Sequence, residues 1–296
     1  MPTTLPGPPR TLARSSARTR GLRVICLAIV SMLAACGAAE ASRDNPPASP
    51  TATPTAAPTV DARAYAIFDA AAERQLASSN ADQRLPVGSL MKLLNAYVAY
   101  RAGQPEKAVV APDGLGGAAG ESVIGIGAGQ AITRGALIRA MLKVSANDAA
   151  RLLALDIAGS EERYAEMMND AAADLALDDT HAANASGLDA SGQFSSANDL
   201  ITLGTRLLRD ATFRQTVSEP TAKLNGKTFA NTNDLLGAYP GADGIKTGHT
   251  SDAEWCILAS ATREGRRIVV VVLGSPTEQG RDDAARTLLD WGFAQP

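Results

Sequence analysis

The stretch LPVGSLMKLLNAYVAY, residues 85–100, sets a lysine inside an apolar run. Leu90, Met91, Leu93, Leu94, Tyr97 and Val98 cover most of the circumference of any helix drawn through them, and a helix apolar nearly all round belongs in a core. An ammonium buried there is costly unless it is paired or gives up its proton. Ser89 precedes Lys92 by three residues, so the two side chains share one helical face. The other positions on that face, Ala96 and Ala99, are small. A hydroxyl beside a lysine of adjustable pKa is one way to activate a serine. Pro86 stands just ahead, a favourable place for a helix to start.

Outward from this stretch the chain is uneven. Its 296 residues are 45% hydrophobic and 4% aromatic, enough for one large domain or two small ones. Arg10, Arg14, Arg18, Arg20 and Arg23 precede an apolar run, Val24 to Ala35, with no acid before it. The run is about half the ~20 residues that span a bilayer as a helix. A basic segment followed by a short apolar one predicts an export signal over residues 1–35. LAAC, residues 33–36, ends the run and resembles the bacterial lipobox, which implies lipidation of Cys36. From 36 to 60 the chain is Ala, Pro, Thr and Ser without apolar periodicity, a disordered tether by composition, and the folded domain is expected over 61–296.

The whole chain's net charge of −3 becomes about −7 once the six arginines and two acids of residues 1–60 are set aside. That balance argues against nucleic acid as partner. Cys256 is the one thiol expected in the mature domain, so no internal disulfide can form, and its setting predicts a buried strand residue. With His181 and His249 the only histidines, a zinc site of His and Cys is not expected.

Within the domain, RAYAIFDA (63–70) has the character of a strand and RQLASSN after it of a hairpin partner. Residues 101–131 are Gly-rich and irregular. A helical block follows: ITRGALIRAMLKV with Thr133 as N-cap, NDAARLLALDIAG ending at Gly159, SEERYAEMMNDAAADLAL capped by Ser160, and SSANDLITLGTRLLRD capped by Ser195 or Ser196. After a loop, GADGIKTGHT leads into EWCILASATREGRRIVVVVLGS, two strand-like runs joined at Arg263-Glu264-Gly265-Arg266, and DDAARTLLDWGF closes as an amphipathic helix. Strands at both ends around a helical insert predict an α+β domain, an antiparallel sheet formed from both chain ends with an all-helical lobe.

Three short motifs carry chemistry. Ser89-Leu90-Met91-Lys92 is the only Ser-x-x-Lys; alone it is weak, and the burial argument strengthens it. Lys246-Thr247-Gly248 is rarer by chance. It reads either as a strand-end turn or as a strand edge lining a cleft, with a cation, a hydrogen-bond donor and a glycine that admits close approach. Ser-x-Asn occurs at Ser78/Asn80, Ser145/Asn147 and Ser196/Asn198. Capping alone explains the last, the first lies in a turn ahead of Ser89, and the middle one falls in the inserted lobe, where capping also remains open.

The order Ser-x-x-Lys, Ser-x-Asn, Lys-Thr-Gly is that of penicillin-binding proteins and class A β-lactamases. Together with VSANDAARLLA, NASGLDASGQFSSANDL and NTNDLLGAYPGADGIKTGHT, it makes the chain resemble the serine D-Ala-D-Ala carboxypeptidases, the low-molecular-mass penicillin-binding proteins, over nearly all of 63–293. The resemblance implies the DD-peptidase/β-lactamase-like fold. It further implies Ser89 as nucleophile, Lys92 as base, Ser145 as proton relay, and Asn147, Lys246, Thr247 and Gly248 as substrate-binding residues. The backbone N–H groups of Ser89 and His249 would form the oxyanion hole. Substrate would be peptidoglycan stem peptide ending in D-Ala-D-Ala, with β-lactams as covalent inhibitors. No cofactor or metal is implied, and the membrane would be met only through the lipid anchor at Cys36, outside the cytoplasm. The chain is expected to stop without the further C-terminal domain of many members.

Ala253-Glu254-Trp255 departs from the Ala-Gly usual there, Val87-Gly88 from the usual pair before the serine, and Ala182 from a common Phe. Two other readings share the motifs. A serine β-lactamase would need an added glutamate, for which Glu161, Glu162 and Glu166 lie in what reads as an ordinary helix. A tethered, non-hydrolytic sensor of penicillin or peptidoglycan would use the same cleft.

Overall fold

A computed structural model describes residues 56–224 and 226–296. The expected export signal, the lipidation residue Cys36 and most of the expected tether lie outside the described residues. Residues 56–60, counted above with the tether, are held against the domain: the Trp291 indole donates to the Ala56 carbonyl (2.9 Å), and the Tyr65 hydroxyl donates to that of Pro58 (3.1 Å).

The principal sheet has five antiparallel strands. β1 (Ala64–Asp69) and β2 (Arg74–Ser79) form the N-terminal hairpin. Three strands come from the far end of the domain: β7 (Ala242–Thr250), β8 (Glu254–Arg263) and β9 (Arg266–Ser275). The spatial order is β2-β1-β9-β8-β7, so the two chain ends pair directly, β1 on β9. The β8–β9 turn is two residues, Glu264 and Gly265, both with positive φ (49° and 81°), the geometry that matches the twist of a hairpin.

β9 shows why the sheet is central. Its run IVVVVL is buried on both faces, as expected of a strand covered on each side. Val269, Val271 and Leu273 join the core shared with the helical lobe, while Ile268, Val270 and Val272 meet Leu288 and Leu289 of the C-terminal helix α7 (Glu278–Ala294). Complete burial of such a side chain contributes about 1.5–3 kcal/mol.

The lobe holds α2 (Arg134–Lys143), α3 (Asn147–Ala158) and α4 (Glu161–Asp174), then α5 (Ala197–Leu207) leads back to the sheet. Thr133, Ser160 and Ser196 cap as expected, each side-chain oxygen accepting an N–H three residues on, and Gly159 ends α3 in the left-handed conformation. Five short elements escaped the sequence reading. The expected irregular segment carries β3 (Ala108–Val110), which pairs with β4 (Ala131–Thr133). The expected loop after α5 contains α6 (Ala211–Ser218) and a small hairpin, β5 (Thr221–Leu224) with β6 (Lys227–Ala230). Each is too short to show a sequence period.

Among the helices of the lobe lies α1 (Lys92–Ala102), packed on α2, α3, α4 and α5, with Lys92 through Ala99 all buried. Its start differs from expectation. Gly88–Met91 is a turn of 3-10 helix, and the α-helix proper begins at Lys92. In a 3-10 turn, residues three apart eclipse, which brings Ser89 and Lys92 into closer register than an α-helix would.

Candidate active site

The turn carrying Ser89 is pressed against β7 backbone to backbone. Gly88 has φ +54°, and a Cβ there would stand 3.1 Å from the His249 nitrogen; a Cβ on Gly248 would come within 2.6 Å of the Val87 carbonyl oxygen. The glycine of Lys-Thr-Gly is therefore required by the Ser89 turn itself. This contact sets Ser89 at the edge of a cleft of about 510 Å³, lined also by Ser145, Asn147, Thr247, Gly248 and His249.

Lys92 is fully buried. Its Nζ lies 2.8 Å from Ser89 Oγ and 2.7 Å from Asn147 Oδ1, and it also meets the backbone carbonyl of Ser186. Two of these three partners are carbonyl oxygens, which only accept. A neutral amine has two N–H bonds for them and one lone pair left, directed to the Ser89 hydroxyl. The electrostatics agree: burial, then the positive charges of Lys246 and Arg151, hold the Lys92 pKa well below its ordinary value, opposed by Glu121.

The lobe delivers Ser145 and Asn147. Ser145 holds a positive φ of 60° at the break between α2 and α3, and Asn147 opens α3. The Asp148 carboxylate accepts from the N–H groups of Ile124, Gly125 and Ile126, and the Asn147 N–H donates to the Ser122 carbonyl (2.7 Å). The Gly-rich segment is thereby fastened beside the cleft, and it brings Glu121 with it. Glu121 Oε2 accepts from Asn147 Nδ2 (3.0 Å) and from Arg151 Nη2 (2.6 Å). Burial works to raise the Glu121 pKa, but hydrogen bonds from Ala118, Asn147 and Arg151 outweigh it and hold the carboxyl below its usual range.

On β7, Thr247 Oγ1 donates to Thr232 Oγ1 (2.7 Å), and Lys246 Nζ donates to the Thr247 carbonyl (2.8 Å). Lys246 is buried, and burial together with the nearby Arg281 guanidinium lowers its pKa to about 7. His249 stacks on Trp255, ring centroids 3.9 Å apart. Arg281 of α7 lines the same cleft; its Nε donates to Asp282 Oδ1 (2.8 Å), its Nη2 lies 2.8 Å from that same oxygen, and its Nη1 lies 3.5 Å from Glu278 Oε1. Glu121 and Arg281 were both missed from sequence. Neither stands in a motif, and each reaches the cleft only through tertiary packing.

The anomalous Glu254 has φ +55° where β8 begins, opposite Thr250, and is not part of the cleft lining. A glycine suits such a backbone without strain, which is the physical reason for the usual residue there. Glu161, Glu162 and Glu166 lie on α4, away from the cleft lining. Cys256 is buried, and burial raises its thiol pKa to about 11. Among the described residues no group of three or more His, Cys, Asp or Glu side chains is placed to hold a metal, and no helix is long and apolar enough to cross a membrane.

Comparisons with known proteins agree with this geometry. The sequence pattern of the D-alanyl-D-alanine carboxypeptidases, peptidase family S11, matches residues 51–277. The D-alanyl-D-alanine carboxypeptidase DacD of Salmonella typhimurium is 36% identical over 247 residues, 79% of this chain and 63% of that protein. The chain thus spans just over three-fifths of that relative's length. Among solved structures, penicillin binding protein 6B from Escherichia coli superposes with a TM-score of 0.77 at 34% identity, covering 81% of this chain and 80% of its own. A D-alanyl-D-alanine carboxypeptidase from Mycobacterium tuberculosis gives a TM-score of 0.77 at 33% identity, covering 83% and 96%. The fold is the penicillin-binding protein fold, and the chain belongs to the D-alanyl-D-alanine carboxypeptidase family.

Proposed function

We propose that the protein is a serine D-Ala-D-Ala carboxypeptidase that trims the terminal D-Ala from peptidoglycan stem peptides and is acylated by β-lactams at Ser89. The observation that carries this reading is the set of three partners around Lys92 Nζ, which suits a neutral base beside the nucleophile.

Ser89 Oγ attacks the carbonyl carbon of the penultimate D-Ala as its proton passes to Lys92 Nζ. The oxyanion is held by the N–H groups of Ser89 and His249, donors fixed before charge develops. Collapse breaks the peptide bond, and the leaving amine takes a proton relayed through Ser145. Water then attacks the acyl ester, releases the shortened peptide and restores Ser89. Asn147 keeps Lys92 oriented, and Gly248 lets the serine turn sit close to β7. Thr247, Lys246 and Arg281 supply the hydrogen bond and positive charge that a free C-terminal carboxylate requires. With a pKa of about 7, Lys246 takes up a proton readily when that carboxylate arrives. Export, and attachment to a bacterial membrane through a lipid on Cys36, complete the reading and place the enzyme beside its polymer.

The test is the intact mass of the full chain after incubation with benzylpenicillin, alongside D-Ala release from a D-Ala-D-Ala peptide. A one-to-one adduct on Ser89 and peptide turnover, both abolished in Ser89→Ala, are expected. A fleeting adduct with rapid loss of the antibiotic would establish a β-lactamase instead, and a lasting adduct without peptide turnover a sensor.

A further inference from the structure

The Asn147 amide can face Lys92 in two ways, and only one serves catalysis. With the oxygen toward Lys92, it accepts an N–H and leaves the amine lone pair to Ser89. Turned over, its NH2 would donate into that lone pair and compete with the serine proton. Nothing in an amide's shape selects between the two; its far side must do so.

Glu121 occupies that far side. Its Oε2 accepts from Asn147 Nδ2 and from Arg151 Nη2, and its Oε1 accepts from the Ala118 N–H (3.1 Å). Asn147 and Arg151 stand one turn apart on the same face of α3, so a single carboxylate bridges both. The carboxylate cannot donate, and a flipped Asn147 would set oxygen against oxygen. The segment itself is tied down through Asp148 and the Ser122 carbonyl, so Glu121 has little freedom to retreat.

We infer that Glu121 is a positioning residue for acylation, locking the Asn147 amide with its oxygen toward Lys92 and placing a fixed negative charge behind the base. This rests on the carboxypeptidase reading. Lys92 senses three charged neighbours, Lys246, Arg151 and Glu121, and Glu121 alone among them favours its protonated form. Removing the Glu121 charge makes Lys92 easier to deprotonate, so the acid limb of the acylation rate moves to lower pH.

The experiment measures the second-order rate of Ser89 acylation by benzylpenicillin against pH for the full chain, Glu121→Ala and Glu121→Gln, with thermal melts to verify folding. Gln keeps an acceptor for Asn147 but no charge. In Glu121→Ala the plateau rate should fall about tenfold, the scale of one lost polar contact, and the acid limb should shift to lower pH. In Glu121→Gln the plateau should stay within about threefold while the limb shifts as in the alanine variant. Wild-type plateau and limb in Glu121→Ala overturn the inference. So does an equal slowing of both folded variants with the limb unmoved, which is what a merely structural loop residue would give. Absence of acylation in the wild type would overturn the carboxypeptidase reading, and this inference with it.

Discussion

A Cβ built on Gly187 would stand 2.2 Å from the carbonyl oxygen of Gly88, the residue before the proposed nucleophile. Gly187 has φ +84°, and the preceding carbonyl, that of Ser186, accepts from Lys92. One backbone segment therefore braces the serine turn and holds Lys92, its proposed base. Gly187→Ala should strain the left-handed backbone and drive Gly88 aside, destabilising the protein by about 2–4 kcal/mol. Urea midpoints measure the first effect. Penicillin acylation of the remaining folded protein should slow as well, because Ser89 moves with Gly88.

Lys92→Met should fold about as well as the parent. An apolar chain of similar length replaces a desolvated amine, at the expense of hydrogen bonds to Asn147 and Ser186. Acylation at Ser89 should drop roughly 10²–10⁴-fold, the usual contribution of a general base. A melt and a penicillin time course on the same sample check both. Normal acylation by this variant would remove Lys92 from the mechanism.

Stability should rise between pH 7 and about 9. Lys246 loses its proton near pH 7 when folded, and Lys92 also titrates well below its ordinary value. The unfolded chain keeps both protons up to the usual lysine range near 10.4. Throughout that window the unfolded state binds more protons, so deprotonation favours the fold, by at most about 1.4 kcal/mol per pH unit for each group. From the ordinary thiol pKa near ~8.5 upward, the Cys256 thiol, raised to about 11 by burial, works the other way and makes the climb less steep toward pH ~9. Denaturant midpoints at pH 7, 8 and 9 should climb, and Lys246→Met should flatten the slope.

Arg281→Met should weaken substrate capture more than chemistry. Arg281 lines the cleft, and its guanidinium also depresses the Lys246 pKa. The expected result is a KM for D-Ala-D-Ala peptide raised about tenfold or more, with kcat changed much less. An amidated peptide, which lacks the carboxylate, should be nearly indifferent to the substitution.

Glu254→Gly should stabilise. Relief of the left-handed strain at φ +55° is worth about 1 kcal/mol, partly offset by the greater freedom of glycine in the unfolded chain. A higher melting temperature with unaltered peptide turnover is expected, since Glu254 lies outside the cleft lining.

Lys92 was legible because charge and burial conflict there, and a conflict of that kind survives in a bare string of residues. Thr133, Ser160 and Gly159 were legible because capping is local chemistry. Lys246-Thr247-Gly248 announced itself as a motif, but the close approach of Gly248 to Val87 is a contact between segments some 160 residues apart and has no local signature. Glu121 is a lone acid in a Gly-rich stretch, and no periodicity marks it. Arg281 reads as one more polar position on an amphipathic helix until α7 is laid against the sheet. Glu254 shows the reverse: its chemistry drew attention, while its backbone conformation proved the relevant fact.

The pairing of β1 with β9 has a bearing on the protein's life before it works. Ala64 lies opposite Leu273, so β1 leaves the ribosome roughly two hundred residues ahead of its neighbour, a wait of about 10–40 s at ~5–20 residues per second. Until β9 arrives, the hairpin of β1 and β2 has an open edge and no sheet to join, and a two-stranded hairpin is marginal alone. Assembly of the sheet is then a late event, governed by the slow closure of a very long loop. In a nascent chain of this topology, the sheet that carries Lys246-Thr247-Gly248 is completed only once its last strand has been made.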